Sequence, residues 1–271
     1  MRGVGHDAAV TIPGSTLLAV HLDRSSMLRP LLPALRSGLA DLLAEQDAHD
    51  GHLQVVVATG DDLTRSLPDG THPPAVPVGA AEARTALPAK LRPLGGPDLR
   101  GGAARLLGAV GDELAARDEA DRPERVVVLL VGEGAVGDTS AVRERIVDQQ
   151  STYAWEFVLV DVTTGTIPAA AGARAAASGE NRGEGGDAAV AVAERPAGDG
   201  AERFGVPVTA TITAGPGATG VTAALSAASA FVTRARDGRP HEPVEGFSDD
   251  ERAAAGVPDT RPGWRRLLRL A

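Results

Sequence analysis

An open, doubly wound α/β sheet, mostly parallel, with helices on both faces in a three-layer Rossmann-like arrangement, is the fold this sequence predicts. Three observations predict it. Short, continuous apolar runs such as Leu17-Leu18-Ala19-Val20 have the pattern of strands buried on both faces. These runs alternate with leucine and alanine stripes at helical spacing. Polar or glycine-rich turns fall where strands end, and strands alternating with helices build a parallel sheet through crossover connections.

The elements follow in order. Residues 16–22 form the first buried strand, and Asp23-Arg24-Ser25-Ser26 turns the chain. Leu28, Leu31, Leu32, Leu35, Leu39, Leu42 and Leu43 recur at i, i+3, i+4 and i+7, the stripe of an amphipathic helix. Pro30 and Pro33 are compatible with it only in the first turn, where a missing N–H costs nothing. A second strand is predicted at 53–58, a short edge strand at 76–78 and a short helix at 81–90. Residues 94–102 read as a Gly/Pro loop and 103–117 as a helix. The most apolar strand is 125–131; a turn follows, and Asp138 or Thr139 caps a helix running to Gln150. Further strands are read at 156–161, 188–193 and 206–213, and helices at 167–177 and 219–236. Residues 178–187, charged and rich in glycine, read as a flexible loop. The organisation predicted is an amino-terminal arm (1–13), one domain (14–236) and a polar, loosely attached tail (237–271).

Composition narrows the function. Aromatic residues are only 3% of a chain that is 43% hydrophobic, so Leu, Val and Ala must fill the core. The net charge of −9 argues against a nucleic-acid binder, which needs a basic surface to neutralise phosphates. With no cysteine there are no disulfides, thiolate metal sites or cysteine nucleophiles. No apolar run reaches membrane-spanning length and residues 1–10 lack a signal-peptide core, so no integral membrane association and a cytoplasmic location are expected.

In an open α/β sheet, ligands bind beyond the carboxyl ends of the strands, at the point where strand order reverses. Two turns qualify. In the first, Asp23, Ser25 and Ser26 offer a carboxylate and hydroxyls, hard oxygen ligands suited to magnesium or calcium. The competing reading is that Asp23 or Ser25 caps the leucine helix, and spacing does not separate the two. The second turn, Gly132-Glu133-Gly134-Ala135-Val136-Gly137, matches G-x-G-x-x-G between a strand and a helix, and Asp161 ends the next strand. That context suits a dinucleotide, with pyrophosphate at the helix N-terminus and the carboxylate on ribose. Against it, Glu133 would crowd the phosphates, and tight chain reversal alone can demand glycine. Gly215-Pro216-Gly217-Ala218-Thr219-Gly220 lacks the following strand and acid, and reads as a loop and helix start. His49 and His52 flank a turn and read as solvated; His21, inside a strand, reads as a core histidine. No nucleophile elbow, paired-histidine zinc motif or P-loop lysine appears, so an enzyme is not predicted.

Residues 17–27 resemble the start of a von Willebrand factor A domain, whose metal-dependent adhesion site begins Asp-x-Ser-x-Ser. Bacterial members often read Asp-Arg-Ser-Gly-Ser-Met; here the passage is Asp23-Arg24-Ser25-Ser26-Met27, one residue shorter. The passage 146–159, with Gln149, Gln150, Tyr153, Trp155 and Phe157, is similar to the family's helix and aromatic approach to a strand. Phe247-Ser248-Asp249-Asp250-Glu251-Arg252 is similar to the acidic ending of some bacterial members. The resemblance runs in order through residues 14–165, more weakly to 255. It implies a protein-binding module with Asp23, Ser25, Ser26 and Glu133 around the metal position. The family's Thr-Asp-Gly becomes Gly132-Glu133-Gly134, and neither Gly95-Gly96-Pro97 nor Gly101-Gly102-Ala103 supplies the second-loop threonine. Three departures together imply a degenerate site with weak or lost affinity for Mg2+ or Ca2+, and no other cofactor is expected.

The tail carries Trp264, Leu267, Leu268 and Ala271 at helical spacing, with Arg261, Arg265, Arg266 and Arg269 around them. Such a basic amphipathic segment suits docking on a partner or on the acidic domain itself. The reading that results is a module binding an unidentified protein through the loops at the strand ends. Two alternatives stand beside it: a dinucleotide-binding enzyme or sensor using residues 132–137 and Asp161, and a structural scaffold subunit anchored by its tail.

Overall fold

The computed structural model describes residues 11–59, 76–91, 98–133, 138–162 and 204–256. Among the described residues five strands form: β1 (Ile12–Leu22), β2 (His52–Thr59), β3 (Pro123–Gly132), β4 (Glu156–Val162) and β5 (Thr211–Ala214). They form one parallel sheet in the order β2-β1-β3-β4-β5. Among the described residues six helices accompany it: α1 (Leu32–Ala48), α2 (Ala80–Lys90), α3 (Leu99–Ala115), α4 (Ser140–Tyr153), α5 (Ala218–Asp237) and α6 (Asp249–Gly256). Helix α1 lies against α2 and α5; α3 packs over β1 and beside α4. The predicted three-layer α/β architecture is therefore observed.

Strands β1, β3 and β4 carry the core. Leu17 to Val20, Val127 to Leu130 and Val158 to Val160 are essentially inaccessible on both faces of the sheet. Every leucine of the predicted stripe is buried, each contributing roughly 1.5–3 kcal/mol relative to exposure. Few side chains are large, so helices approach closely: a Cβ on Gly38 of α1 would lie 2.7 Å from Leu225 of α5. Gln46 is fully buried between the same helices, its side-chain amide donating to the Ser229 carbonyl, the Ser229 hydroxyl and the Thr233 hydroxyl at 2.8–3.1 Å. Arg236 closes the arrangement with bonds to Gln46 and to the Asp50 carbonyl.

Several boundaries differ from those predicted, each for a local reason. The leucine stripe is divided: Ser26–Leu31 is a 3-10 turn containing Pro30, and α1 starts at Leu32 with Pro33 in its first turn. Helix α3 begins at Leu99 rather than 103, because the Asp98 carboxylate accepts the Gly101 N–H and caps it. Gly101 and Gly102, assigned to a loop, lie inside that helix. The edge strand at 76–78 is reduced to one antiparallel bridge, with Val55 and Val78 exchanging bonds of 2.8 and 2.9 Å. The strand at 206–213 shortens to Thr211–Ala214, a 3-10 turn occupying Val208–Ala210. Helix 167–177, loop 178–187 and strand 188–193 lie outside the described residues. Among the described residues, no helix is long and apolar enough to cross a membrane.

Part of the stretch predicted as tail contacts the domain through Phe247, Arg252 and Ala255. Phe247 is buried against Phe231, and Arg252 donates to the carbonyls of Val208, Thr209 and Thr211. Helix α6 starts with a reciprocal cap: the Ser248 N–H donates to the Glu251 carboxylate at 2.7 Å, and the Glu251 N–H to the Ser248 hydroxyl at 3.2 Å. Arg234 of α5 adds an ion pair to Glu251 at 2.9 Å. Burial pushes the Glu251 carboxyl up, but the bonds from Arg234 and Ser248 outweigh it and hold the group below its ordinary range.

Two predictions follow from this packing. A depressed carboxyl stabilises the fold above the unfolded-state value and ceases to do so as pH falls through the folded value. Glu251→Gln should therefore cost about 1.5–3 kcal/mol at neutral pH, a deficit that shrinks as pH falls below the ordinary glutamate range, read by urea unfolding across pH. Gly102→Ala and Gly111→Ala should move in opposite directions. A Cβ at Gly102 would stand 2.0 Å from the buried His21 ring, whereas one at Gly111 meets nothing within 4 Å. The first should lose about 1–3 kcal/mol and the second gain about 0.5–1 kcal/mol, in matched unfolding curves.

Candidate functional site

The order β2-β1-β3 makes the carboxyl ends of β1 and β3 the switch point of this sheet: the chain leaves β1 toward β2 and re-enters on its other side. Leu22 pairs with Val131, and the next N–H, that of Asp23, donates to the Val131 carbonyl at 2.8 Å. The last residue of β3 is Gly132, and Glu133 follows directly. Asp23 and Glu133 thus emerge from adjacent strands onto one rim. The glycine is required there, because a Cβ at Gly132 would sit 2.5 Å from the Asp23 Cβ.

Asp23 is only 4% exposed. Its Oδ1 accepts the Ser25 N–H at 3.1 Å and the Asp98 N–H at 3.4 Å, and the Glu133 N–H also bonds the carboxylate. Its Oδ2 is buried and has no hydrogen-bond partner among the described residues. Burial pushes the Asp23 carboxyl up; the three backbone N–H groups pull it back, and the neighbouring Glu133 charge pushes it up further. The net direction is upward.

Of the four residues singled out from the sequence, Asp23, Ser25 and Glu133 share this rim, with Ser25 fully buried. Ser26 stands exposed at the start of the 3-10 turn, outside that buried group. Asp98 is the contributor that sequence reasoning missed. It does two jobs, capping α3 with its carboxylate and bonding Asp23 with its N–H. Its signal was available as an aspartate three residues before Gly101, hidden by the assignment of that stretch to a loop.

Among the described residues the rim offers a magnesium or calcium ion the carboxylates of Asp23 and Glu133, and residues 92–97, with the second-loop candidate Gly95-Gly96-Pro97, lie outside the described residues. Of the two carboxylates, Asp23 already spends Oδ1 on backbone N–H groups. Gly101 and Gly102 present no side-chain oxygen; Gly101 abuts the Asp98 carboxylate and Gly102 the His21 ring. Among the described residues, no three His, Asp or Glu side chains gather as a metal-holding group. What the arrangement can do is present a buried, partly unsatisfied carboxylate beside a second acid, a demand for a cationic or N–H donor group.

The rival turn is partly visible. Asp161 is buried in β4, in register with Gly132 on one side and Thr213 on the other. Residues 134–137 lie outside the described residues. Gly215 donates its N–H to the Ala255 carbonyl and α5 starts at Ala218, so the second glycine motif is a loop and helix start. His49 is tied to Asp237 at 3.1 Å and to the Asp50 carbonyl at 2.9 Å. At the opposite end of the sheet a cleft of about 850 Å³ is lined by Arg122, Arg125, Arg145, Tyr153, Trp155 and His241, among others. Its arginines already bond the carbonyls of Arg117, Gly238 and Ala104, so they serve the fold.

Gly132→Ala tests the rim. It should push Asp23 away from β3 and lower stability by about 1–3 kcal/mol by urea unfolding. The Asp23 amide should lose its slow hydrogen exchange, since the bond to Val131 is the one displaced.

No family model matches the chain, and no curated protein matches it. Among solved structures it is similar to a von Willebrand factor type A protein from Catenulispora acidiphila, at 17% identity and a TM-score of 0.37, over 55% of this chain and 34% of that one. It is also similar to proximal thread matrix protein 1 of the mussel byssus, at 10% identity and a TM-score of 0.46, over 78% of this chain and 46% of that one. The chain spans less than half the length of either.

Proposed function

We propose that this chain is a von Willebrand factor A-like protein-binding module that engages a partner through its switch-point rim, with weak or lost dependence on a divalent metal. Asp23 is the anchor, Ser25 and Ser26 flank it, and Glu133 supplies the second charge. The observation that carries this reading is the meeting of Asp23 and Glu133 at the ends of adjacent strands, with the Asp23 Oδ2 buried and unsatisfied. A buried acceptor without a donor costs free energy, and fold stability alone gives no reason to retain one. A basic or N–H-bearing group on a partner protein would satisfy it. The proposal assigns Asp23 and Glu133 a binding role rather than a catalytic one.

Dinucleotide binding remains the second reading, favoured by the register of Asp161 beside Gly132. It places phosphates over Glu133, which repels them. A scaffold role for the tail is the third and rests on the sequence of residues 261–271 alone.

Affinity capture from native lysate discriminates these readings. The intact protein should retain its partner in the presence of chelator, and Asp23→Asn should reduce retention at least tenfold, a loss of about 1.4 kcal/mol or more. Retention should also weaken on acidification from above the ordinary aspartate range, because a raised Asp23 carboxyl takes up its proton early and loses its charge. Capture abolished by chelator would restore a metal-dependent site. Calorimetric affinity for a nicotinamide or adenine dinucleotide, lost on Gly134→Ala, would replace this reading with the second.

A further inference from the structure

Four Asp–Gly dipeptides stand in the sequence, at 50–51, 69–70, 199–200 and 237–238, and the described residues include the first and the last. An Asp–Gly unit can react on itself: the glycine nitrogen attacks the aspartate Cγ, water leaves, and a five-membered succinimide ring forms. Ring closure needs an amide N–H that is not held, a carboxyl that is not held, and no side chain shielding the nitrogen. Glycine meets the last condition at both positions. The fold decides the other two, and it decides them oppositely.

Asp50 and Gly51 form the turn from α1 into β2, at the amino end of the sheet and away from the rim, and both are exposed. Among the described residues neither the Gly51 N–H nor the Asp50 carboxylate has a hydrogen-bond or ion-pair partner. Gly51 has a φ of +93°, in the region that favours glycine, and a Cβ there would stand 2.5 Å from the Gly14 carbonyl oxygen. The residue that leaves the nitrogen unshielded is thus the one the turn requires. The carbonyl of Asp50, by contrast, is held twice: the Arg236 guanidinium donates to it at 3.0 Å and the His49 Nδ1 at 2.9 Å. Both donors draw electron density from the peptide group and acidify its N–H, the proton that must leave as the nitrogen attacks. Asp237 and Gly238, at the end of α5, are arranged the other way. The Gly238 N–H donates to the Arg234 carbonyl at 3.0 Å, and the Asp237 carboxylate pairs with the His49 Nε2 at 3.1 Å. Nucleophile and electrophile are both engaged there.

We propose that Asp50 is a site of spontaneous isoaspartate formation, and that the fold protects Asp237 from the same reaction. In closing, the Gly51 nitrogen bonds to the Asp50 Cγ and gives up its proton, and the Cγ–OH bond breaks to release water. In opening, one water adds back to one of the two ring carbonyls. Addition at the former side-chain carbonyl restores aspartate. Addition at the former backbone carbonyl breaks its bond to nitrogen and leaves the chain running through Cγ. Arg236 and His49 polarise that backbone carbonyl, and the carboxylate released there keeps the same two donors, so the second outcome is favoured. The product has one extra backbone atom between α1 and β2, where the Gly14 carbonyl leaves no room for it, so the turn must shift.

Prolonged incubation of the full-length protein in heavy-oxygen water, followed by peptide mapping with electron-transfer fragmentation, measures the reaction at each aspartate. In the native protein isoaspartate should accumulate several-fold faster at Asp50 than at Asp237, each event carrying one heavy oxygen. In urea sufficient to unfold the chain the two rates should converge, because only His-Asp-Gly-His and Arg-Asp-Gly-Arg then distinguish the sites. Equal rates in the native protein, or a difference that persists undiminished in urea, would overturn the proposal, since the fold would then have no part in the choice. Arg236→Gln should lower the isoaspartate share of the labelled product at residue 50, and an unchanged share would overturn the steering by the guanidinium. The urea comparison uses the unaltered sequence, so it decides even if that variant folds poorly.

Discussion

Backbone hydrogen bonding between β1 and β3 positions everything else of functional interest. These strands are sequentially distant yet adjacent, paired from Thr16 with Arg125 to Leu22 with Val131. The bond from Asp23 to the Val131 carbonyl extends that ladder one step beyond the strand and holds the acid at the sheet's edge. Gly132 allows the approach by having no side chain to interpose. A slip of one residue would point Asp23 and Glu133 into different surroundings, since strand neighbours alternate faces. Register is secured by the core itself, where both faces of β1 and β3 are apolar and sealed by helices.

The rim concentrates unsatisfied acid on one spot. In the helical layer, by contrast, Gln46 bonds two neighbouring helical residues, and Arg252 reaches three carbonyls. Asp23 keeps a buried oxygen without a donor beside a like charge. Natural proteins tolerate such a cost where a ligand relieves it.

Reading the sequence located Asp23, Ser25 and Glu133 because strand ends in α/β sheets are where ligands bind and because the order of motifs resembles a known family. Ser26 was included for its hydroxyl, but the 3-10 turn forced by Pro30 leaves it exposed at the start of the turn. Asp98 was missed because glycines at 101 and 102 suggested a loop. Packing overrode that propensity: Gly102 is where α3 approaches the His21 ring, too close for any larger residue. The Ser248–Glu251 cap was legible as Ser-x-x-Glu, yet the charged run around it read as a solvated tail.

By itself the amino-acid sequence determined the alternation of buried strands and amphipathic helices, since periodicity and apolar runs are local properties. It also determined the absence of thiol chemistry and the opposition between an acidic chain and a basic tail. Only the tertiary structure decided that β1 and β3 are neighbours, that Asp98 joins the rim and that α6 ends on the same side of the sheet. Those are consequences of strand order and helix packing, which join residues tens of positions or more apart and leave no local trace.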